Sequence, residues 1–392
     1  MSHDLRARAR ERALLVRPDD PAAWLVVARE RERAGERAEA LIAAAEALRR
    51  APRDEAALEA LRELEWSGPW PAEDGDQSGA SRSPLPGPRE GLVVWRRELP
   101  QQLFGRPRID RRGRVVVRGI TSGLYRVDCE GRAVEPLGEW PPNVPPVLAG
   151  EEPGALDPST HLFRTAGWEP GRAGLTARDP TGEAWVAWRA ALLALDPDGL
   201  PRWRVELPSG VGAVRAGARG PVWATCLASV HEHSLLALRR EDGRVAAERV
   251  VRDQRALLCT PEGGACVASG EGVLALGPDG AERWRAPLGP ATALALGPEL
   301  LLAATRAGLV ALDPLSGQER WRRPALRAAL PPAIDADGAA VLVTLEGRVV
   351  GLDREGERRF ELAVDRRGVL GAPALGPQRA YLTAGRWLLA IR

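Results

Sequence analysis

Lysine is absent from this chain of 392 residues, and asparagine and methionine occur once each, as Asn143 and Met1. Without lysine no GK[ST] phosphate loop can exist, and the G-x-G-x-x-G pattern of dinucleotide sites is missing as well. No apolar run reaches the length that spans a bilayer. The start, MSHDLRARARERALL, is charged and lacks the apolar stretch of a signal peptide, so the sequence predicts a cytoplasmic protein. Charge of one sign is also lacking: 55 arginines face 53 Asp and Glu for a net charge of +2. They are scattered rather than gathered in a stripe, which argues against nucleic acid as a partner.

Ligating and nucleophilic residues are sparse. The four cysteines, Cys129, Cys226, Cys259 and Cys266, show no C-x-x-C spacing. Three of them fall in predicted strands and read as buried free thiols of a reducing compartment. His3 and His161 are isolated, with no serine or cysteine nucleophile paired to them. His231 and His233 (VHEH) share one face of a predicted turn between strands, but no third metal ligand is in view. No catalytic, cofactor-binding or metal-binding residue is assigned, and no cofactor is expected.

What the chain does contain is enough apolar residue, 44%, to bury large cores, and a length that suggests two domains. All-arginine cations with abundant Ala, Gly and Pro fit a GC-rich, bacterial genome. Residues 3–65 carry apolar positions three and four apart, with breaks at Pro18–Pro21, Gly35 and Pro52, and read as four helices from about 5 to 65. Asp20 before Pro21 has the order of an N-cap followed by Pro in the first turn. Trp24, Ala28, Gly35, Ala40, Ala44, Ala47 and Pro52 fall at the spacings of the tetratricopeptide motif, which this segment resembles. Arg31 and Ala44 stand where that motif has an aromatic and a large apolar residue, so the packing is expected to be thin.

Residues 66–90 are rich in Pro, Gly and Ser without periodicity and read as a linker. Trp66 and Trp70 there are either anchors for a partner or docked on the protein's own surface.

From Gly91 to Arg392 the chain is short strands between turn signals. The hairpin GLVALDPLSGQERWRR (Gly308–Arg323) is its clearest unit: apolar strand, Asp-Pro-Ser-Gly turn, return strand with Trp321. Turn glycines Gly131, Gly199, Gly243, Gly280, Gly317 and Gly356 are each followed, four residues on, by Glu135, Trp203, Ala247, Trp284, Trp321 and Phe360. The last four glycines lie 37, 37 and 39 residues apart, a period of four strands. The chain stops at RWLLAIR, the third strand of a unit. The missing fourth strand is GLVVWRREL, where Trp95 follows Gly91 by the same four residues. Pairing residues 91–99 with the last unit would close a ring and remove its exposed edges.

Units of the form ALDPxxGxxxWR resemble the quinoprotein-type, PQQ-like β-propeller repeats over residues 91–392. The resemblance implies a mainly β fold of four-stranded antiparallel blades, seven in number, with Trp95, Trp203, Trp284, Trp321 and Phe360 docking blade to blade. One interval, Gly131 to Gly199, has about 30 residues too many. The excess, roughly 140–170, reads as an inserted Pro-rich loop, with a degenerate eighth blade as the alternative. Quinone enzymes of that family need adjacent cysteines, a calcium cage and export, and this sequence shows none of the three.

The function these features predict is a non-catalytic cytoplasmic scaffold that binds protein, part of a multi-protein bacterial system. The resemblance suggests an AAA+ ATPase system as one partner class. A small-molecule-binding or quinone-dependent propeller is the competing reading. Trp140, His161, Phe163 and Trp168 in the inserted segment are the candidate partner contacts, unless they only pack that segment down.

Overall fold

In the computed structural model the described residues are 20–33, single positions at 40, 43, 44, 47, 51, 56 and 60, and then 80–83, 86–110, 113–121, 123–139, 147–149, 152–154, 176–178, 183–188, 190–196, 201–217, 219–364, 371–376 and 378–392. The described helix is α1, Pro21–Arg33. Asp20 caps it: its Oδ1 accepts from the Ala22 amide at 3.0 Å. Leu25 and Ala28 of α1 are buried with Ala40, Ala43, Ala44, Ala47 and Ala60, and Trp24 and Val27 pack against them. The rest of the four expected helices lies outside the described residues, and one helix does not establish the repeat.

Thirty strands follow among the described residues. Seven antiparallel sheets of four strands are described. They comprise β2 to β5 (Leu103–Ile109, Val115–Gly119, Gly123–Val127, Val134–Glu139), β8 to β11 (Thr176–Arg178, Ala184–Trp188, Ala191–Leu195, Pro201–Glu206) and β12 to β15 (Val211–Ala216, Val222–Leu227, Glu232–Leu238, Val245–Arg252). After these come β16 to β19 (Ala256–Cys259, Ala265–Ala268, Val273–Leu276, Glu282–Ala286), β20 to β23 (Ala291–Leu296, Leu301–Thr305, Gly308–Leu312, Glu319–Arg323) and β24 to β27 (Ala333–Ile334, Ala340–Val343, Arg348–Leu352, Arg358–Ala363). The seventh sheet joins the two ends of the region: β28, β29 and β30 (Ala374–Gly376, Arg379–Ala384, Trp387–Ile391) are completed by β1 (Val93–Glu98), antiparallel to β30.

The first strands pack on one another in succession, β8 on β12, then β16, β20, β24, β28 and β2. They therefore line the inside of a circular array, and the fourth strands form its rim. This explains the sequence pattern. Middle strands such as β10 (ALLAL), β18 (VLAL) and β22 (GLVAL) are buried throughout because a neighbouring sheet covers each face, so they read as continuous apolar runs. Rim strands β11, β19 and β27 expose most of their residues and bury Trp203, Trp284 and Phe360.

Two segments differ from their sequence-based reading. The excess segment, expected to be an inserted loop, contains an antiparallel pair, β6 (Val147–Ala149) and β7 (Glu152–Gly154). Strand β6 packs on β2, the same inner-strand contact that links the complete sheets. The pair was hidden because its strands are three residues long and β7 contains Pro153, which has no N–H to offer and suits an edge.

The second is the end of the expected linker. Ala80, Ser81 and Ser83 are buried. The Leu296 amide donates to the Ala80 carbonyl at 2.8 Å, and the strap then runs parallel to β24: Ser83 N donates to Ile334 O and Ile334 N to Ser81 O, both at 2.9 Å. Across the interior, Arg106 of β2 reaches Ser81 Oγ at 3.0 Å and the Pro331 carbonyl at 2.6 Å. Further along, Asp335 Oδ2 accepts from the Gly87 amide at 2.8 Å, and Gln378 N donates to Pro86 O. Burial pushes the Asp335 carboxyl above its ordinary range even though the Gly87, Ala339 and Asp337 amides that bond to it pull the other way. Its described backbone groups pair the strap with the inner end of the array.

Deleting residues 1–79 should therefore leave the β region's unfolding temperature within a few degrees of the full chain's. Deleting residues 1–90, which removes several buried hydrogen bonds each worth about 1 kcal/mol, should lower it by roughly 5–10 °C in a calorimetric scan.

Candidate functional site: the turn-lined face

The turns between first and second strands and between third and fourth strands lie on one face of the array, and the rim aromatics bind that face together. Each aromatic docks on a turn of the next sheet. Trp95 Nε1 donates to the Cys129 carbonyl at 3.0 Å, Trp203 Nε1 to Arg240 at 2.6 Å, Trp284 Nε1 to Pro314 at 3.1 Å and Trp321 Nε1 to Arg354 at 2.8 Å. The indole faces rest on Gly131, Gly243, Gly317 and Gly356, and Phe360 rests on Gly91. At Gly317, with φ +73°, an added Cβ would lie 2.5 Å from the Trp284 ring, so conformation and contact both demand glycine. Within each sheet the residue opposite the ring is small: Ala390, Ala194, Ala275, Ala311 and Gly351. Where Ala247 replaces the tryptophan, Arg249 makes the junction by donating from Nε to the Gly280 carbonyl at 3.0 Å. Trp223 of a second strand also crosses, giving its Nε1 to Gly263 O at 3.0 Å. At the seam, Arg379 joins Trp95 on the Cys129 carbonyl and reaches Glu130 at 3.0 Å.

The turn aspartates hold these docking platforms in shape. Asp313 accepts at Oδ1 from the Leu315 and Ser316 amides at 3.0 and 2.9 Å, and at Oδ2 from Arg320 at 2.7 Å. The Arg320 guanidinium, with the Ser316 amide, holds the Asp313 carboxyl down at about 2, below its ordinary 3.8.

At one junction on this face the described residues leave a groove. A groove of about 690 Å3 lies between the β20–β23 and β24–β27 sheets, lined by Pro298, Glu299, Leu300, Arg320, Trp321, Ala336, Asp337, Gly338, Arg354 and Glu355. Trp203 and Trp284 are each only 9% exposed, whereas Trp95 and Trp321 stay half-buried. The turn between β20 and β21 beside the groove is tight, closed by Gly297 N donating to Leu300 O at 2.8 Å. Sequence reasoning singled out Trp321 but missed the groove. The available signal was the short GPEL turn beside the longer TPEGG turn of the preceding sheet.

The other candidates fare differently. Trp140, His161, Phe163 and Trp168 lie outside the described residues. His231 Nδ1 is 3.0 Å from Asp253 Oδ1 on an exposed turn. Among the described residues no three His, Cys, Asp or Glu side chains are grouped to hold a metal, and no helix is long and apolar enough to cross a membrane. All four cysteines are free; Cys226, Cys259 and Cys266 are buried and Cys129 is exposed. Burial pushes the Cys266 thiol up to about 12.

With this geometry in place, residues 269–386 match a family model described as outer membrane protein assembly factor BamB. Among solved structures, the computationally designed Ika8 protein has a TM-score of 0.57 at 11% identity, covering 77% of this chain and 99% of its own. The β-propeller domain of Myceliophteria thermophila Cps50 (Swd1) has a TM-score of 0.50 at 12% identity, with the same coverage. The fold is a β-propeller. BamB from Moraxella catarrhalis is similar at 16% identity over 72% of this chain and 81% of its own, with a TM-score of 0.43. Among curated proteins none matches this sequence. Within the matched stretch the repeats are PQQ-like, and the propeller's blades are the four-stranded sheets.

Trp284→Ala should cost about 3–5 kcal/mol in urea unfolding, as a large core truncation. Gly317→Ala should cost a similar amount in the wild type but only about 1–2 kcal/mol, the left-handed backbone penalty, once Trp284 is alanine. Additive losses would mean that the ring and the turn do not act as one contact.

Because the Asp313 carboxyl is depressed in the folded state, its contribution is complete above about pH 4 and is lost as pH falls towards 2. The stability gap between wild type and Asp313→Asn should be constant from pH 7 to 5 and shrink between pH 4 and 2.5.

Proposed function

We propose that this chain is a non-catalytic scaffold that binds partner proteins on the turn-lined face of its propeller and works in the cytoplasm. The observation that carries this reading is the strap. Residues 80–83 and the Arg106 side chain occupy the inner end of the blades, where an axial cofactor or small substrate would have to sit. The repeated aromatics are consumed in blade-to-blade contacts, which leaves the turns as the surface offered outward.

Two finer points belong to the same reading. The buried alanines around α1 support a tetratricopeptide-like hairpin as a second, smaller binding module. The β6–β7 pair beside β2 supports an eighth ring position, only partly built, next to seven complete blades. An AAA+ ATPase as partner draws no support from the relatives found.

Affinity capture from the native host, with the full chain and with the chain lacking residues 1–79, tests the reading. We expect the same partner protein from both baits, at reduced yield if the helices add contacts. Purified protein that takes up a quinone or calcium and oxidises an alcohol or sugar would overturn it.

A further inference from the structure

We infer that the groove at Trp321 is a docking site for an extended segment of a partner protein that presents an arginine or lysine side chain. The inference rests on the scaffold reading and names the chemistry of its partner.

Three observations lead there. The first is the half-buried indole. Its Nε1 is already satisfied by the Arg354 carbonyl at 2.8 Å, and one face rests on Gly356. The edge left open to the groove therefore offers apolar and π surface, with no hydrogen bond to give. Pro298, which is exposed, continues this apolar lining, while Leu300 behind it is buried.

The second is the charge balance of the walls. Arg320 is committed to Asp313 at 2.7 Å, Arg354 to Glu355 at 2.5 Å, and Asp337 to Arg89 of the strap at 2.5 Å. Glu299 is the lining charge that makes no ion pair among the described residues, and it reaches Arg354 only through space. The groove thus keeps one uncompensated carboxylate above an aromatic floor. An anionic ligand would face it unpaired; a cationic side chain would neutralise it, laying its aliphatic stem on Trp321 and Pro298.

The third is shape. The groove runs between inner turns and rim turns, open along its length, and about 690 Å3 holds a few residues of extended chain rather than a globular domain. Arg323 shows that the arrangement suits a guanidinium: its Cζ lies 5.7 Å from the Trp321 ring centroid, anchored through Nε to the Gly356 carbonyl.

The test uses the full chain and its Glu299→Arg variant, an exposed change at a surface turn that circular dichroism should show to be folded. A phage library of random linear dodecapeptides is panned on the wild-type chain, and the enriched peptides are synthesised with a fluorescent label for anisotropy titration. We expect enriched peptides to carry Arg or Lys, to lose at least tenfold in affinity when that residue becomes Glu, and to lose at least tenfold on the Glu299→Arg chain. Trp321→Phe, which keeps a ring on Gly356, should weaken them more mildly. No enrichment, enrichment of peptides without a basic residue, or equal binding to wild type and Glu299→Arg would each overturn the inference. Peptides that bind both chains equally would leave the scaffold reading standing, whereas quinone turnover would sink that reading without touching the groove.

Discussion

The contact between an aromatic ring on one sheet and a turn glycine on the next is what the rest of this molecule depends on. A four-stranded sheet with apolar residues on both faces cannot stay in water alone; it needs a neighbour on each side, and the neighbour must be held at a fixed angle. The indole does both jobs. Its flat body fills the wedge that opens towards the rim, and its N–H fixes the height of the neighbouring turn by bonding to one carbonyl. Phe360 fills the wedge without the hydrogen bond, and Arg249 supplies a hydrogen bond without the ring. The junctions are thus alike in geometry and graded in chemistry.

Much of this was readable beforehand. The offset of four from turn glycine to tryptophan marked the units. What could not be read was the direction of the contact. Gly317 and Trp321 belong to one hairpin in the sequence, yet Gly317 carries Trp284 from the preceding sheet, and Trp321 rests on Gly356 of the following one. Spacing records which residues a unit owns; it says nothing about which unit uses them. Similarly, Ser81 and Ser83 are small and polar, a composition shared by mobile linkers and by segments whose backbone bonds to a sheet. Only the unpaired edge of Ile334 distinguishes the two, and that edge is a property of the fold.

The candidate site shows the same limit from another side. Trp321 was marked by its repeat position, but the groove beside it, next to the tight turn between β20 and β21, carries no mark at that residue in the sequence. Trp140, His161, Phe163 and Trp168 lie outside the described residues, so their place relative to this groove stays a reading from composition.

The pairing of β1 with β30 has a consequence in time. The other complete sheets assemble from strands that follow one another closely, so each can form as soon as its last strand is synthesised. The β1 strand is made first and must wait through roughly 300 residues for its partner. At about 5–20 residues per second that wait is on the order of 15–60 s. Throughout it, the apolar run Leu92, Val93 and Val94 stands on an unpaired strand, the kind of edge that recruits other chains. The seam that holds the finished ring together is also the interval in which the nascent chain is most exposed to aggregation, and the strap anchored beside β24 can keep β1 near its place only once β24 itself exists.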